Sequence, residues 1–258
     1  MTVKMVVTDL DRTLLREDKT ISPYTQEVLD ELKAQGIPLI VATARPARAV
    51  RGLLPFLRYD GAVFFNGAVT VAGGETLRTY RIDHGLEIVR AVLRQEPDTR
   101  LSVEMDDYLY SNMPPEALGD WGTDYCYTTD FHEIDGRQVE KLLISLPTQV
   151  LPGWEAAYRA YISDGLYMQV SEGTLLMVMN RQATKLNGIR ALCEHYGISL
   201  EETAAFGDDL NDLEMLQACG VGVAVENGLP EVKAAADSIC PGNEADGVAR
   251  WIRENVLT

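Results

Sequence analysis

Val3-Lys4-Met5-Val6-Val7-Thr8-Asp9-Leu10-Asp11-Arg12-Thr13-Leu14-Leu15 is the stretch on which the fold turns. Met5, Val6 and Val7 form a short apolar run with β-branched members, as expected of a strand buried on both faces of a parallel sheet. The run stops at Thr8, and two carboxylates follow, Asp9 and Asp11, with Thr13 beyond them. Ligands of open α/β sheets bind in the crevice outside the carboxyl ends of the strands, so both aspartates would project into it from one loop. Two like charges so close are costly unless a cation or a shared proton relieves them. Alone, the motif reads equally well as a capping Asp and a solvated turn.

Working outward, Ser22-Pro23 opens a helix, Ser22 as N-cap and Pro23 at its first position. Val28, Leu29 and Leu32 give it an apolar stripe, and Gly36 stops it. A second buried strand, Ile37 to Ala42, ends at Thr43-Ala44-Arg45-Pro46. Strand, helix, strand at this spacing is a crossover unit, so the two strands run parallel and Thr43 reaches the same sheet edge as Asp9. Its hydroxyl, beside a helix N-terminus opened by Pro46, suits either a phosphate or a plain N-cap. Gly61 to Thr70 reads as a third strand ending at Asn66-Gly67, and Gly73-Gly74 turns the chain into a hairpin partner, Thr76 to Ile82.

From Asp83 the texture changes. Asp83 is placed to cap a helix carrying Leu86, Val89, Val92 and Leu93. Leu101 to Ser111 reads as a hairpin about Asp106-Asp107, Leu142 to Leu146 as a strand, and Gly153 to Ile162 as a helix. Leu166 to Val170 and Leu175 to Met179 flank Ser171-Glu172-Gly173-Thr174 as a further hairpin. These mostly antiparallel signals describe an α+β unit inserted into a parallel domain. The parallel texture resumes with a helix from Lys185 to Tyr196, stopped by Gly197, and strands over Thr203 to Phe206 and Val221 to Val225. Asn243 to Asn255 is the closing amphipathic helix. The expected architecture is an α/β, Rossmann-like parallel sheet core formed by residues 1–82 and 183–258, with an inserted α+β cap over 83–182.

Hydrophobic residues make up 46% of 258, enough for a substantial core and against disorder. A formal net charge of −16 argues against nucleic acid and anionic membranes as partners, since both reward clustered Lys and Arg. It leaves room for a phosphorylated small molecule, because local cations and a metal override the global field. The four cysteines are scattered without a Cys-x-x-Cys pair, which fits reduced thiols. The N-terminal apolar run is too short for a signal peptide and no stretch approaches the ~20 residues of a spanning helix, so the expected location is cytoplasmic.

Gly207-Asp208-Asp209-Leu210-Asn211-Asp212 sits at a strand end and opens a helix. Mg²⁺ takes oxygen ligands, and Asp9 and Asp208 can share one if their strands neighbour each other. An Asp-rich helix start also arises simply because Asp favours N-caps. Lys185 begins a helix where the inserted unit rejoins the core. An ammonium there either neutralises phosphate and a carboxylate together or is merely solvated.

Taken jointly, Asp-x-Asp-x-Thr after the first strand, Thr43 after the second, Lys185, and Gly-Asp-Asp-x-Asn-Asp after a later strand form an ordered set. In these motifs the sequence resembles the haloacid dehalogenase superfamily, specifically its Cof-like sugar-phosphatase branch. The large insertion stands where that branch places its α/β cap, and Asn66-Gly67-Ala68 is also similar to it. The resemblance implies that Asp9 is a nucleophile forming a phosphoaspartate. It implies that Asp11 is the general acid and then base; Asp11 must be protonated when the alcohol leaves, which its crowding with Asp9 would favour. It further implies phosphate contacts from Leu10, Thr43 and Ala44, charge neutralisation by Lys185, and Mg²⁺ held by Asp9, Asp11 and Asp208. Asn211 matches a phosphate or metal-shell contact, and Asp212 a carboxylate orienting Lys185 or a metal water. Arg12 and Ala44 depart from the glycines usual at their positions.

The expected function is Mg²⁺-dependent hydrolysis of small phosphorylated metabolites, sugar phosphates foremost, by a monomer or homodimer whose cap closes through crossings near Ile82 and Arg181 to Thr184. A phosphotransferase or phosphomutase of the same superfamily differs in passing the phosphoryl group to a sugar hydroxyl. A phospho-accepting signalling module would need neither Asp11 nor the insertion.

Overall fold

The structure, a computed structural model, describes residues 2–53, 55, 57–117, 124–146, 154–171 and 175–257. Along the chain the strands are β1 (Met5–Thr8), β2 (Leu39–Ala42), β3 (Gly61–Phe64), β4 (Val69–Ala72), β5 (Glu75–Thr79), β6 (Leu101–Met105), β7 (Tyr108–Ser111), β8 (Tyr125–Tyr127), β9 (Lys141–Ser145), β10 (Leu166–Ser171), β11 (Leu175–Asn180), β12 (Thr203–Gly207), β13 (Val221–Val225) and β14 (Ser238–Cys240). The helices are α1 (Pro23–Ala34), α2 (Ala47–Leu53), α3 (Gly85–Gln95), α4 (Trp154–Arg159), α5 (Lys185–Tyr196), α6 (Leu213–Ala218), α7 (Pro230–Ala235) and α8 (Gly247–Asn255). The chain divides into two compact units, Met1–Pro46 with Val50–Thr79 and Thr184–Thr258, and Ala47–Ala49 with Tyr80–Ala183.

The first unit holds an eight-stranded sheet in the order β14-β13-β12-β1-β2-β3-β4-β5. Its strands are parallel from β14 to β3, while β4 and β5 run antiparallel. β1 lies at the centre because its residues are wholly buried and tolerate neighbours on both edges and both faces. Met5, Val7, Ile40, Ala42 and Val63 project to one face and pack against Ile189 and Leu192 of α5, Met215 and Leu216 of α6, and Val232 of α7. α1 packs on β2 and against α8. Ser22 caps α1 by accepting from the Thr25 backbone N–H at 3.0 Å, as the Ser-Pro pair foretells.

Several local readings change; the hairpin partner expected over Thr76 to Ile82 is Glu75–Thr79. The third strand stops at Phe64, because Phe65 and Asn66 both take positive φ and turn the chain back into β4. α3 begins at Gly85 with His84 as its cap, not Asp83. The closing helix begins at Gly247 rather than Asn243.

The inserted unit carries a six-stranded sheet, β10-β11-β9-β6-β7-β8, antiparallel except where β8 joins β7. Asp106 and Asp107 both adopt positive φ in the two-residue turn between β6 and β7, a geometry Asp tolerates better than most residues. Leu86, Val89 and Val92 of α3 join Val103, Leu142, Ile144, Leu176 and Val178 in one core. The unit begins at Tyr80 rather than Asp83 and also claims residues 47–49. The physical link is Arg48, whose guanidinium lies 2.7 Å from the Glu104 carboxylate with both groups nearly out of solvent. Turn residues Glu172 to Thr174, and Gly153 at the start of the expected helix, lie outside the described residues. No helix among the described residues is long and apolar enough to cross a membrane.

Candidate active site

β1, β2 and β12 end side by side, and their following loops converge there. Asp9 follows β1 and is 6% exposed. The Lys185 ammonium, 1% exposed, donates to Asp9 Oδ1 at 2.6 Å and to Asp212 Oδ1 at 2.7 Å. It arrives there because Thr184 caps α5, its hydroxyl accepting from the Asn187 N–H at 3.2 Å, which makes Lys185 the first helical residue. Gly67, at φ +115°, permits this: a Cβ would lie 2.2 Å from the Thr184 carbonyl oxygen.

The other oxygen of Asp212 accepts from the backbone N–H groups of Asp208 at 3.0 Å and Asp209 at 3.1 Å. Gly207 leaves room for that carboxylate, since a Cβ there would come within 2.4 Å of Asp212. Asp208 is buried, and its Oδ1 accepts from the Thr13 hydroxyl at 3.0 Å. Carboxylate oxygens of Asp9, Asp208 and Asp212 all lie within 4.8 Å of one another.

Three buried carboxylates thus share one ammonium. Burial pushes the Asp9 carboxyl up to about 8, opposed by Lys185 and reinforced by Asp212 and Asp208. Burial, then the Asp212 charge, pushes Asp208 up to about 6. Burial disfavours the Lys185 charge, but Asp212 and Asp9 more than reverse that and raise it. The ammonium therefore stays charged between the two carboxylates, and Asp9 is left under-compensated. A compact set of oxygen donors with surplus negative charge fits a hard divalent cation.

Asp11 stands differently. Arg45 grips it in a bidentate pair, Nε to Oδ2 at 2.6 Å and Nη2 to Oδ1 at 2.7 Å, and Lys19 Nζ donates to Oδ1 at 2.9 Å. Partial burial works to raise its pKa, but these hydrogen bonds outweigh it and the carboxyl is lowered. The expectation that crowding by Asp9 holds Asp11 protonated is therefore corrected: two cations hold it ionised.

Leu10 is buried at the turn after β1, where its carbonyl accepts from the Leu15 N–H at 2.8 Å. Arg12 takes φ +61°, the left-handed geometry for which Gly is suited, and Asn227 Nδ2 donates to its carbonyl at 2.7 Å. Thr43 is buried; its hydroxyl accepts from the Arg45 N–H at 3.1 Å and its carbonyl from the Asn66 N–H at 2.9 Å. Ala44 lies half-buried between them. Asn211 donates from Nδ2 to Asn66 Oδ1 at 3.0 Å. The structure thus brings Asp9, Lys185, Asp208 and Asp212 together, links Asn211 to the Thr43 loop through Asn66, and places Asp11 with Arg45. Sequence reasoning missed Arg45, Lys19 and Asn66 as members of the site. The signal for Arg45 and Asn66 was their place in loops after β2 and β3; Lys19 carried none.

The profile of the haloacid dehalogenase-like hydrolases matches residues 6–252. Among curated proteins, the 5-amino-6-(5-phospho-D-ribitylamino)uracil phosphatase YitU of Bacillus subtilis is 30% identical over 265 residues, covering 97% of this chain and 96% of that protein. The HMP-PP phosphatase of Yersinia pseudotuberculosis is 27% identical, covering 96% and 94%. Among solved structures, one from Thermotoga maritima superposes with a TM-score of 0.87 at 23% identity, covering 98% and 97%, and shares the fold.

Proposed function

The chain belongs to the haloacid dehalogenase-like hydrolase family and is an enzyme of its phosphatase class, and on that premise we propose that it hydrolyses monoesters of small phosphorylated sugars or polyols through a phosphoaspartate on Asp9. One observation carries this reading: Lys185 Nζ sits between Asp9 and Asp212 at 2.6 and 2.7 Å, in a buried pocket of carboxylates at the end of the central strand. That arrangement holds a carboxylate oxygen still and places a fixed positive charge where a phosphoryl group's charge would gather. The name of the Bacillus subtilis relative describes a phosphorylated ribityl compound, which is the kind of ester meant here.

Phosphate-monoester hydrolysis is so slow uncatalysed that the site must lower the barrier by roughly 20 kcal/mol or more. Division into formation and hydrolysis of an acyl phosphate makes two easier steps. Asp9 supplies the attacking oxygen, and Lys185 balances charge on the phosphoryl oxygens. Thr43 and the backbone around Leu10 and Ala44 would bind those oxygens, together with Asn211. Asp11 in its protonated form hands a proton to the departing alcohol and, ionised by that transfer, takes one from the water that follows. In this structure Arg45 and Lys19 hold it in the ionised form that the second of these roles requires. Asp9, Asp208 and the Asp11 backbone would hold Mg²⁺, which supplies charge neutralisation and orientation of the phosphoryl group when bound. Asp212 orients Lys185 and braces the Asp208 loop through its two N–H contacts.

The test is a phosphatase screen over phosphorylated sugars and polyols with Mg²⁺ and with chelator. Mg²⁺-dependent phosphate release, with an acid-stable acyl phosphate trapped on Asp9, is expected. Phosphoryl transfer only to a second sugar, with no phosphate released, would overturn the hydrolase reading.

A further inference from the structure

The loop that carries Asp11 turns back at Arg12, which takes φ +61°. That geometry costs free energy in any residue with a Cβ, so the turn needs support from outside the loop. The loop's own closure, the Leu15 N–H donating to the Leu10 carbonyl at 2.8 Å, does not involve Arg12. Two asparagines supply the support. Asn227 follows β13 and Asn243 follows β14, strands that lie beyond β12 from β1. Asn227 Nδ2 donates to the Arg12 carbonyl at 2.7 Å, and its Oδ1 accepts from the Asn243 N–H at 3.0 Å. Asn243 is buried and donates from its own Nδ2 to the Leu15 carbonyl at 2.8 Å. Residues 12 and 15 are thus held from the same side by two amides bonded to each other.

The Asn227 amide has one workable orientation. Turned over, it would set carbonyl against carbonyl at Arg12 and NH₂ against N–H at Asn243. The same loop also touches the Asp208 loop. The Leu229 N–H donates to the Asp208 carbonyl at 2.9 Å, and a Cβ on Gly228 would lie 3.1 Å from Asp208 Cα. The Thr13 hydroxyl closes the ring by donating to Asp208 Oδ1 at 3.0 Å. Residues 226–229 therefore join the two carboxylate-bearing loops, and Asn227 is the link to the one that carries Asp11. Arg45 and Lys19 hold the Asp11 carboxylate, whereas Asn227 holds the turn directly after it. Asn227 is half-buried, so water can take its place at the Arg12 carbonyl. A water satisfies that carbonyl without tying it to a fixed neighbour, so stability and alignment separate at this residue.

We propose that Asn227, anchored by Asn243, is a positioning residue that fixes the turn at Arg12 and so aligns Asp11 for proton transfer to the leaving alcohol. The inference rests on the phosphatase reading above and adds the group that aims its acid.

The experiment pairs kinetics with amide hydrogen exchange. Phenyl phosphate and p-nitrophenyl phosphate share a ring, but p-nitrophenolate leaves readily without a proton and phenolate does not. For Asn227→Ala at saturating Mg²⁺, kcat/KM should fall about tenfold or more on phenyl phosphate and less than about threefold on p-nitrophenyl phosphate, because a misaligned acid matters most where the leaving group needs it. Inhibition by inorganic phosphate should stay near wild type. By exchange, the Leu15 amide should open about tenfold faster, while the Asp9 amide, bonded to the Phe206 carbonyl, keeps its protection. Asn227→Asp keeps the acceptor for Asn243 but loses the donor to Arg12; it should shift both readouts the same way and serves if the first variant misfolds. Equal losses on the two esters overturn the proposal, as do unchanged kinetics in a folded variant. Faster exchange at Leu15 and Asp9 alike overturns it too, since Asn227 would then support the fold as a whole. A wild type that turns over neither ester nor any member of the sugar and polyol panel, with or without Mg²⁺, sinks the phosphatase reading instead, and exchange at Leu15 still decides whether Asn227 fixes the turn.

Discussion

Asp9 and Asp11 leave the same strand two residues apart, yet they occupy opposite electrostatic regions. Asp9 belongs to a buried floor where three carboxylates share Lys185, and its pKa is pushed up to about 8. Asp11 belongs to a half-open rim where Arg45 and Lys19 surround it, and its pKa is lowered. The sequence interval is the same as between any two loop residues; the partners make the difference. One region is short of positive charge and the other is saturated with it. Two chemically identical side chains therefore differ in proton affinity, because environment and not residue type sets it.

The comparison breaks most sharply at its acidic pole. Asp9→Asn keeps size and the ability to bond Lys185 but removes the proposed nucleophile. Turnover should fall by about 10⁴-fold or more, by analogy with deletions of a covalent group elsewhere, while inorganic phosphate binding partly survives. Steady-state assays at saturating Mg²⁺ read this, and near-wild-type turnover would remove Asp9 from its role. Next in size is Lys185→Met. Without the ammonium the floor holds three buried carboxylates and no protein cation, and breaking such a buried pair costs about 3–5 kcal/mol. Denaturant unfolding should show that loss, and Mg²⁺ should restore part of it. A variant as stable as wild type in chelator would mean that the floor does not need its ammonium.

A pH experiment sharpens the contrast further. Asp9 at about 8 and Asp208 at about 6 both lie above their ordinary value of 3.8. In metal-free protein the folded state therefore holds protons that the unfolded state has released. Stability from these groups is full below about pH 4 and is lost as pH rises through 6 and 8. Mg²⁺ favours the ionised forms, so the gap in melting temperature between Mg²⁺-loaded and metal-free protein should widen from pH 5 to pH 8. A gap independent of pH would mean that the floor carboxylates do not titrate in this window.

How much of this was legible beforehand follows the same division. Met5 to Val7, the carboxylates behind them, Thr43, Lys185 and the Gly207 loop could all be placed because each stands at the end or start of a regular element. Parallel strands then bring those ends to one edge. The rim was not legible. Arg45 reaches Asp11 across 34 positions and Lys19 across 8, through flexible stems with no periodic signal. The early end of β3 depends on Phe65 adopting positive φ, which its bulk gives no reason to expect. Arg48 joins the inserted unit through a buried ion pair with Glu104 and contacts with Asp107, between distant residues that leave no local pattern.

The rim should respond to smaller changes. Arg45→Met removes the bidentate donor and leaves Lys19. Asp11 should then titrate higher, read from its side-chain carbon shift in a labelled protein. An unmoved midpoint would show that Lys19 alone sets the rim.

The smallest effect concerns Arg12, the residue after Asp11 in the loop that joins floor to rim. Its backbone at φ +61° is in a region that costs a non-glycine residue free energy, and its side chain is mostly exposed, with weak contacts to Asn227 and Glu17. Arg12→Gly should relieve that strain, but it also frees the unfolded chain, and the two effects oppose each other. Where native φ is positive the strain prevails, so a gain of about 0.5–1 kcal/mol is expected on chemical denaturation. Neither Asp9 nor Asp11 should change its titration. If the substitution instead lowers stability, the exposed guanidinium is holding the loop, and the Arg12 contacts with Asn227 belong to the rim's cationic framework rather than to its surface.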